Sequence, residues 1–221
     1  LAKIKILELK KRKKTPILVG GTGLYFKALI EGLVSIPNIP ISTRNKVRSL
    51  HKKLGQKKFF SQLIKIDPLV KNHINPLDTQ RSIRAYEVKL FTKKSLFMWF
   101  KDTRSNYFKK DFFKIYIDFP RNDLLKQINF RAQEMIKNGA VLEVKRFMKS
   151  KVPKDKSANK AIGISEINQY LAKKIEISDV IEKISIKTRQ YAKRQCTWAR
   201  GNMENWNRMS PNRLNKFLKK I

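Results

Sequence analysis

The chain has 221 residues, with 51 Lys and Arg against 17 Asp and Glu, which gives a formal net charge of +34 at pH 7. At 41% hydrophobic and 10% aromatic residues it can bury a core, so disorder throughout is excluded. No run of roughly 18 apolar residues is free of charge, so a bundle of membrane-spanning helices is excluded as well. The single cysteine, Cys196, rules out an internal disulfide and a cysteine-built zinc site, and a cytoplasmic or comparably reducing setting is expected. Two sources can supply the charge: a lysine-rich background, as in the run Lys10 to Lys14, and a polyanionic partner whose condensed counterions are released on binding.

In chain order, Leu1 to Lys14 alternates apolar and basic residues like the back half of an amphipathic helix. No uninterrupted apolar stretch follows its charges, so it is not a secretory signal. Thr15-Pro16-Ile17-Leu18-Val19-Gly20-Gly21 reads as a short buried strand, entered by a proline and left through glycines. Leu24 to Glu31 reads as a helix stopped at Gly32. Strand, glycine loop and helix in sequence are the unit from which parallel α/β sheets are built. After the Pro37 to Pro40 break, residues 42–109 read as a basic, aromatic helical insertion, broken at Asp67-Pro68 and Asn75-Pro76.

Phe112 to Phe119 returns to strand composition and Pro120 ends it. A helix follows, with Leu124, Ile128 and Met135 at helical spacing; Asn138-Gly139 separates it from a segment running through Phe147. Lys149 to Lys160 is a polar loop, helices are expected over Ser165 to Lys173 and Ser178 to Arg200, and the tail beyond Gly201 shows weak periodicity. The division is 1–41 as a core segment, 42–109 as the insertion and 110–221 as the core return with its C-terminal helices. The fold expected is α/β, a parallel-sheet core incomplete at its N-terminus and carrying a helical insertion.

Gly20-Gly21-Thr22-Gly23 sits at a strand-to-helix turn, where free backbone N–H groups can receive an anion or a close-packed backbone. It is not a Walker A loop, because no Gly-x4-Gly-Lys-Ser/Thr run occurs in the chain. On the last long helix Ile181, Ile184, Thr188, Tyr191, Gln195 and Trp198 share one stripe, and Arg189, Lys193 and Arg200 lie opposite. That face reads equally as a solvated basic surface or as a ridge for phosphates, with arginine favouring the second because its planar fork grips two oxygens. Arg44 with Arg48, and Gln80-Arg81 with Arg84, form two further basic clusters. His51 and His73 stand apart without an acidic partner motif, so a metal or acid–base role is not expected of them.

The segment Pro16 to Leu33, with Gly20-Gly21-Thr22-Gly23-Leu24-Tyr25 at its centre, resembles a signature segment of bacterial-type tRNA dimethylallyltransferases. Asp78-Thr79-Gln80-Arg81 to Glu87 is similar to that family's Asp-Pro-Gln-Arg segment, Asn159 to Glu166 to its Ala-Ile-Gly-Tyr-Lys-Glu segment, and Thr188 to Arg200 to its Lys-Arg-Gln-x-Thr-Trp segment. Thr79 stands in place of the usual proline, and Ile164-Ser165 in place of the usual Tyr-Lys pair.

The resemblance implies a P-loop-NTPase-like core and a helical insertion that grips a tRNA anticodon stem-loop. It implies transfer of the dimethylallyl group of dimethylallyl diphosphate to N6 of the adenine just 3′ of the anticodon, with Mg²⁺ bound mainly through the diphosphate and a segment before Leu1. Arg44 and Thr22 are the catalytic candidates it carries over: Arg44 to stabilise the departing diphosphate, Thr22 to meet the RNA in the reaction channel. It places Gln80, Arg81, Ser82, Ile83 and Arg84 against the anticodon loop from the insertion. Lys160, Ala161, Ile162, Gly163, Ile164 and Ser165 would face tRNA from the core, together with Lys193, Arg194, Gln195, Cys196, Thr197, Trp198, Ala199 and Arg200. The family's N-terminal phosphate-binding loop and catalytic aspartate would lie before Leu1, so the expectation is a C-terminal part of a longer monomeric enzyme, inactive by itself. A non-catalytic basic RNA-binding relative is the alternative, and a small-molecule phosphotransferase is disfavoured because the matching segments are tRNA-facing ones.

Overall fold

The structure is a computed structural model and describes residues 1–103, 111–153 and 156–219, in two compact units. The first comprises Leu1–Leu18 and Leu24–Phe112; the second, Val19–Gly23 and Phe113–Ile221. Residues 104–109 of the expected insertion and 154–155 of the expected polar loop lie outside the described residues.

Helices α1 (Ala2–Lys11), α3 (Ile41–Ile66), α4 (Thr79–Thr92) and α5 (Leu96–Lys101) belong to the first unit, as does all of α2 (Gly23–Glu31) beyond its first residue. Helix α3 is broken at Gly55, whose φ of 69° and ψ of 166° suit a residue without a Cβ. A 3-10 turn over Pro68–Asn72 follows the Asp67-Pro68 break, since proline disfavours helical backbone in the residue before it. Helix α4 starts where the Asp78 carboxylate accepts from Arg81 N–H at 3.0 Å, and α5 where Ser95 Oγ accepts from Phe97 N–H at 3.2 Å. The core of this unit joins Phe60 and Leu63 of α3, Val70 and Ile74 after it, Ala85 and Val88 of α4, and Leu96 of α5. Leu63, Val70 and Val88 are wholly buried, each contributing about 1.5–3 kcal/mol.

The second unit runs β1 (Ile115–Ile117), α6 (Arg121–Lys137), α7 (Ala140–Lys149), a 3-10 turn over Ser157–Lys160, α8 (Ile164–Leu171), α9 (Ile177–Asn202), β2 (Asn207–Met209) and α10 (Pro211–Leu218). Gly139, at φ 92°, makes the sharp turn between α6 and α7 that Asn138-Gly139 forecasts. Ala132, Ala140, Val144, Ile167, Val180 and Ile184 form the core, in which α6 and α8 pack on α9, and α7 packs on α6 and α8. The strands are parallel, with Ile115, Tyr116 and Ile117 opposite Asn207, Arg208 and Met209.

The described chain is therefore mostly helical, with one small parallel sheet, and the expected strand over Thr15 to Gly21 does not form. Ile17 is 71% and Val19 89% exposed. An apolar run becomes a buried strand only when neighbouring strands bond its backbone, and among the described residues β1 and β2 pair only with each other. The strand expected over Phe112 to Phe119 contracts to three residues because β2 offers only three partners. Beyond Gly201 the sequence reading missed both β2, which is polar and too short to alternate, and α10. Helix α10 carries a start signal: Ser210 caps it, accepting from Arg213 N–H at 3.4 Å, and Pro211 occupies its first position.

Candidate nucleic-acid interface

In the second unit the glycine turn docks directly on α9. Gln195 Nε2 donates to the Gly21 carbonyl at 2.7 Å, joining residues 174 positions apart. A Cβ on Gly21 would overlap the Gln195 amide, and one on Gly23 would fall inside the Trp198 ring. Neither glycine needs a positive φ, so close approach of side chains from α9 is what demands them. Thr22, between them, is exposed on the outside of the turn.

Helix α9 is also held by β1 and α8. Tyr116 of β1 donates its phenolic O–H to Cys196 Sγ at 3.7 Å. Burial and that contact push the Tyr116 phenol up to about 12, so it is a donor throughout the physiological range. Arg208 of β2 lies over the Tyr116 ring, 5.7 Å from its centroid. From α8, the buried Glu166 accepts from Gly163 N–H at 3.0 Å and pairs with Lys187 of α9. Burial alone would raise the Glu166 pKa, but hydrogen bonds from Lys187 and from backbone N–H groups outweigh it and hold the carboxyl below its ordinary value.

These anchors sort the expected RNA-facing residues. Arg189, Lys193, Arg194, Thr197 and Arg200 are exposed on α9. Gln195, Cys196 and Trp198 are half-buried and engaged with Gly21, Tyr116 and Gly23, and Ala199 is 5% exposed. The apolar stripe is also narrower than expected: Val180, Ile184, Ser185 and Ala199 are buried, whereas Tyr191 is 42% exposed with Arg194 over its ring at 5.8 Å. In the loop before α8, Lys160, Ala161 and Ser165 are exposed, Ile162 and Ile164 pack on the core, and Gly163 is buried at φ 107°. Over Lys160 to Ser165, and over Lys193 to Arg200, exposed and packed residues thus alternate, as helix and turn geometry require.

The first unit carries a second basic patch, on α3 and α4. Gln80 and Arg81 are exposed at the start of α4, with Arg81 Nε 3.4 Å from Asp78 Oδ2. Ile83 and Arg84 are half-buried. Ser82 is fully buried; its hydroxyl donates to the Asp78 carbonyl at 2.7 Å and accepts from Gln56 Nε2 at 3.2 Å, tying α4 to α3. Arg44 lies in the first turn of α3, where a cation is disfavoured by the helix dipole, and its buried Nε has no hydrogen-bond partner among the described residues. An anion there would answer both costs. His51 and His73 pack against Phe59 and Phe97, with ring centroids 5.0 and 4.4 Å apart. Among the described residues no three His, Cys, Asp or Glu side chains gather to hold a metal ion, and no helix is long and apolar enough to cross a membrane.

Sequence reasoning passed over Tyr116, Glu166, Lys187 and Glu87. Only Glu166 carried a local signal, standing three residues after the glycine that opens its helix.

Residues 1–202 match the family model described as IPP transferase. The chain belongs to the IPP transferase family. Within it, the chain is 53% identical over 217 residues to a tRNA dimethylallyltransferase of Pelagibacter ubique, spanning 98% of this chain and 69% of that protein. It is 42% identical to a tRNA dimethylallyltransferase of Rickettsia massiliae, over 92% of this chain and 56% of the relative. Among solved structures it is similar to a tRNA delta(2)-isopentenylpyrophosphate transferase of Staphylococcus epidermidis, with a TM-score of 0.58 and 28% identity over 99% of this chain and 73% of the other. A eukaryotic dimethylallyltransferase acting on tRNA shares the fold, with a TM-score of 0.75 at 22% identity over 95% of this chain and 54% of that one. As an IPP transferase the chain thus matches its relatives along nearly all of its own length while spanning 54% to 73% of theirs.

Proposed function

We propose that this protein transfers the dimethylallyl group of dimethylallyl diphosphate to N6 of the adenine just 3′ of a tRNA anticodon. The observation that carries the reading is the junction of the glycine turn with α9. It brings together two segments distant in the chain, with the exposed Thr22 beside a seam closed by Gln195 and Trp198, and leaves Lys193, Thr197 and Arg200 exposed on the opposite face of α9. An exocyclic amine stacked inside an RNA loop must swing out to meet an electrophile, which needs polar groups beside a packed aromatic wall. Exposed arginines supply the phosphate contacts that hold the loop meanwhile.

In this reading Gln80, Arg81 and Arg84 of the first unit grip the anticodon loop, and Thr22 meets the RNA at the reaction channel. Arg44, with its unpartnered buried Nε, takes the negative charge that develops on the leaving diphosphate. Carbon–nitrogen bond formation and carbon–oxygen cleavage leave diphosphate as the product, and the amine loses one proton. Mg²⁺ would travel with the diphosphate, whose oxygens suit this hard cation.

The test is nucleoside mass analysis of unmodified tRNA incubated with the full-length protein and dimethylallyl diphosphate. A dimethylallyl-bearing adenosine is expected, and Arg44→Ala lowers turnover more than it lowers RNA binding. Tight RNA binding without any transfer refutes the catalytic reading and leaves an RNA-binding relative in its place.

A further inference from the structure

Glu87 lies on α4 one turn beyond Arg84, and its side chain is only 5% exposed. Its carboxylate faces guanidinium groups from two helices: Arg48 Nε of α3 is 3.7 Å from Oε1, and Arg84 Nη1 is 3.6 Å from Oε2. Both separations are ion-pair distances longer than a hydrogen bond, and Oε1 has no hydrogen-bond partner among the described residues. A carboxylate buried in this way is costly, and an apolar side chain of similar volume is commonly as stable or more so. Stability alone therefore does not account for an acid here.

The two arginines offer the account. Their side chains stay 64% and 41% exposed, so much of each guanidinium faces solvent while Glu87 sits behind them. Two cations brought side by side repel, and one carboxylate facing both offsets the repulsion and draws both guanidinium groups toward it. Arg48 and Arg84 come from different helices whose core packing sets the backbone spacing, and Glu87 is the carboxylate that both guanidinium groups face.

We propose that Glu87 is a positioning residue that holds Arg48 and Arg84 as a paired guanidinium clamp for neighbouring phosphates of the RNA. The proposal rests on the reading above that the start of α4 faces tRNA, and it adds Arg48 to that surface. Its sign is opposite to that of simple charge counting. Replacing Glu87 with Gln removes a negative charge, so long-range attraction to RNA rises, whereas loss of the aligned clamp weakens binding.

The test titrates an unmodified anticodon stem-loop RNA with the full chain over a range of salt concentrations. Glu87→Gln is expected to weaken binding about three- to tenfold and to lower the log–log salt slope by about one, the size of a lost phosphate contact. Arg84→Lys keeps the charge and loses the fork; it weakens binding in the native background and adds little on top of Glu87→Gln. Should Glu87→Gln fail to fold, the double variant Arg48→Lys with Arg84→Lys decides, because neither side chain is buried and net charge is unchanged. Weaker binding with native melting supports the clamp; unchanged binding overturns it. Equal or tighter binding by a folded Glu87→Gln also overturns it. If the native chain binds steeply with salt and only the Glu87 effect is missing, this inference falls alone; if the native chain does not bind the RNA, the tRNA reading falls with it.

Discussion

Replacing Gly23 with Ala tests the glycine-turn junction at its tightest point. The added Cβ would fall inside the Trp198 ring, and an indole held between packed elements cannot yield as the end of a flexible side chain can. Overpacking of this kind costs about 1–3 kcal/mol. Gly23 is the first residue of α2, so alanine recovers up to about 1 kcal/mol of helix propensity. The net expectation is a loss of about 1–2 kcal/mol, read by denaturant melting or as a fall of about 2–4 °C in Tm for each kcal/mol. Gly21→Ala should cost less, because its Cβ meets the mobile amide of Gln195 and forfeits chiefly one hydrogen bond, about 0.5–1.5 kcal/mol. Combining Gly23→Ala with Trp198→Ala should abolish the alanine penalty, since the ring that opposes it is gone. A Gly23→Ala protein as stable as the native one, or one whose penalty persists without Trp198, refutes the close-packing argument.

The remaining predictions concern the groups that brace the site. Because the folded Glu166 carboxyl is held below its ordinary value of 4.5, it contributes stability above that pH which is lost as pH falls through the lowered value. Glu166→Gln and Lys187→Met should each flatten this acid limb in melts run below pH 4.5; an unchanged limb counts against the pair. The Tyr116 phenol, pushed up to about 12 from 10.0, contributes stability below pH 10 that disappears as pH climbs toward 12. Absorbance titration should find one of the six tyrosines ionising late, and Tyr116→Phe should remove that late step. Gly55→Ala should destabilise the first unit by about 1–3 kcal/mol although open space surrounds the position, because φ 69° with ψ 166° is a backbone region for glycine; a neutral melt would show that α3 straightens at no cost.

Helices were legible wherever local signals closed them off: Gly32 and Gly139 as turns, Pro68 as a break; the Asp78 and Ser95 caps emerged only in the structure. The two sheet regions were harder to read, because a strand is defined by partners distant in sequence. Ile17-Leu18-Val19 has strand composition and no strand beside it, while Asn207-Arg208-Met209 has none of that composition and pairs with β1. At the site, composition and spacing singled out Thr22, Lys193 and Arg200 as available groups. They could not show that Gln195, Cys196 and Trp198 turn inward to Gly21, Tyr116 and Gly23. Nor could they show that Ser82, one residue after the exposed Arg81, is wholly buried, since adjacent helical residues point about 100° apart. Glu87 looks like an ordinary surface acid in sequence and Glu166 signals only a helix start, and packing alone reveals that each is buried beside a cation from a second helix.

The central claim, that these residues hold a tRNA anticodon loop, is tested most directly by the affinity of the 221-residue chain for an anticodon stem-loop between 50 and 200 mM salt, values that bracket the physiological range on the order of 150 mM. The account predicts binding that falls steeply with salt, and weakens when the adenine 3′ of the anticodon is replaced by a pyrimidine. Absence of binding, or equal affinity for a loop without that adenine, would contradict it.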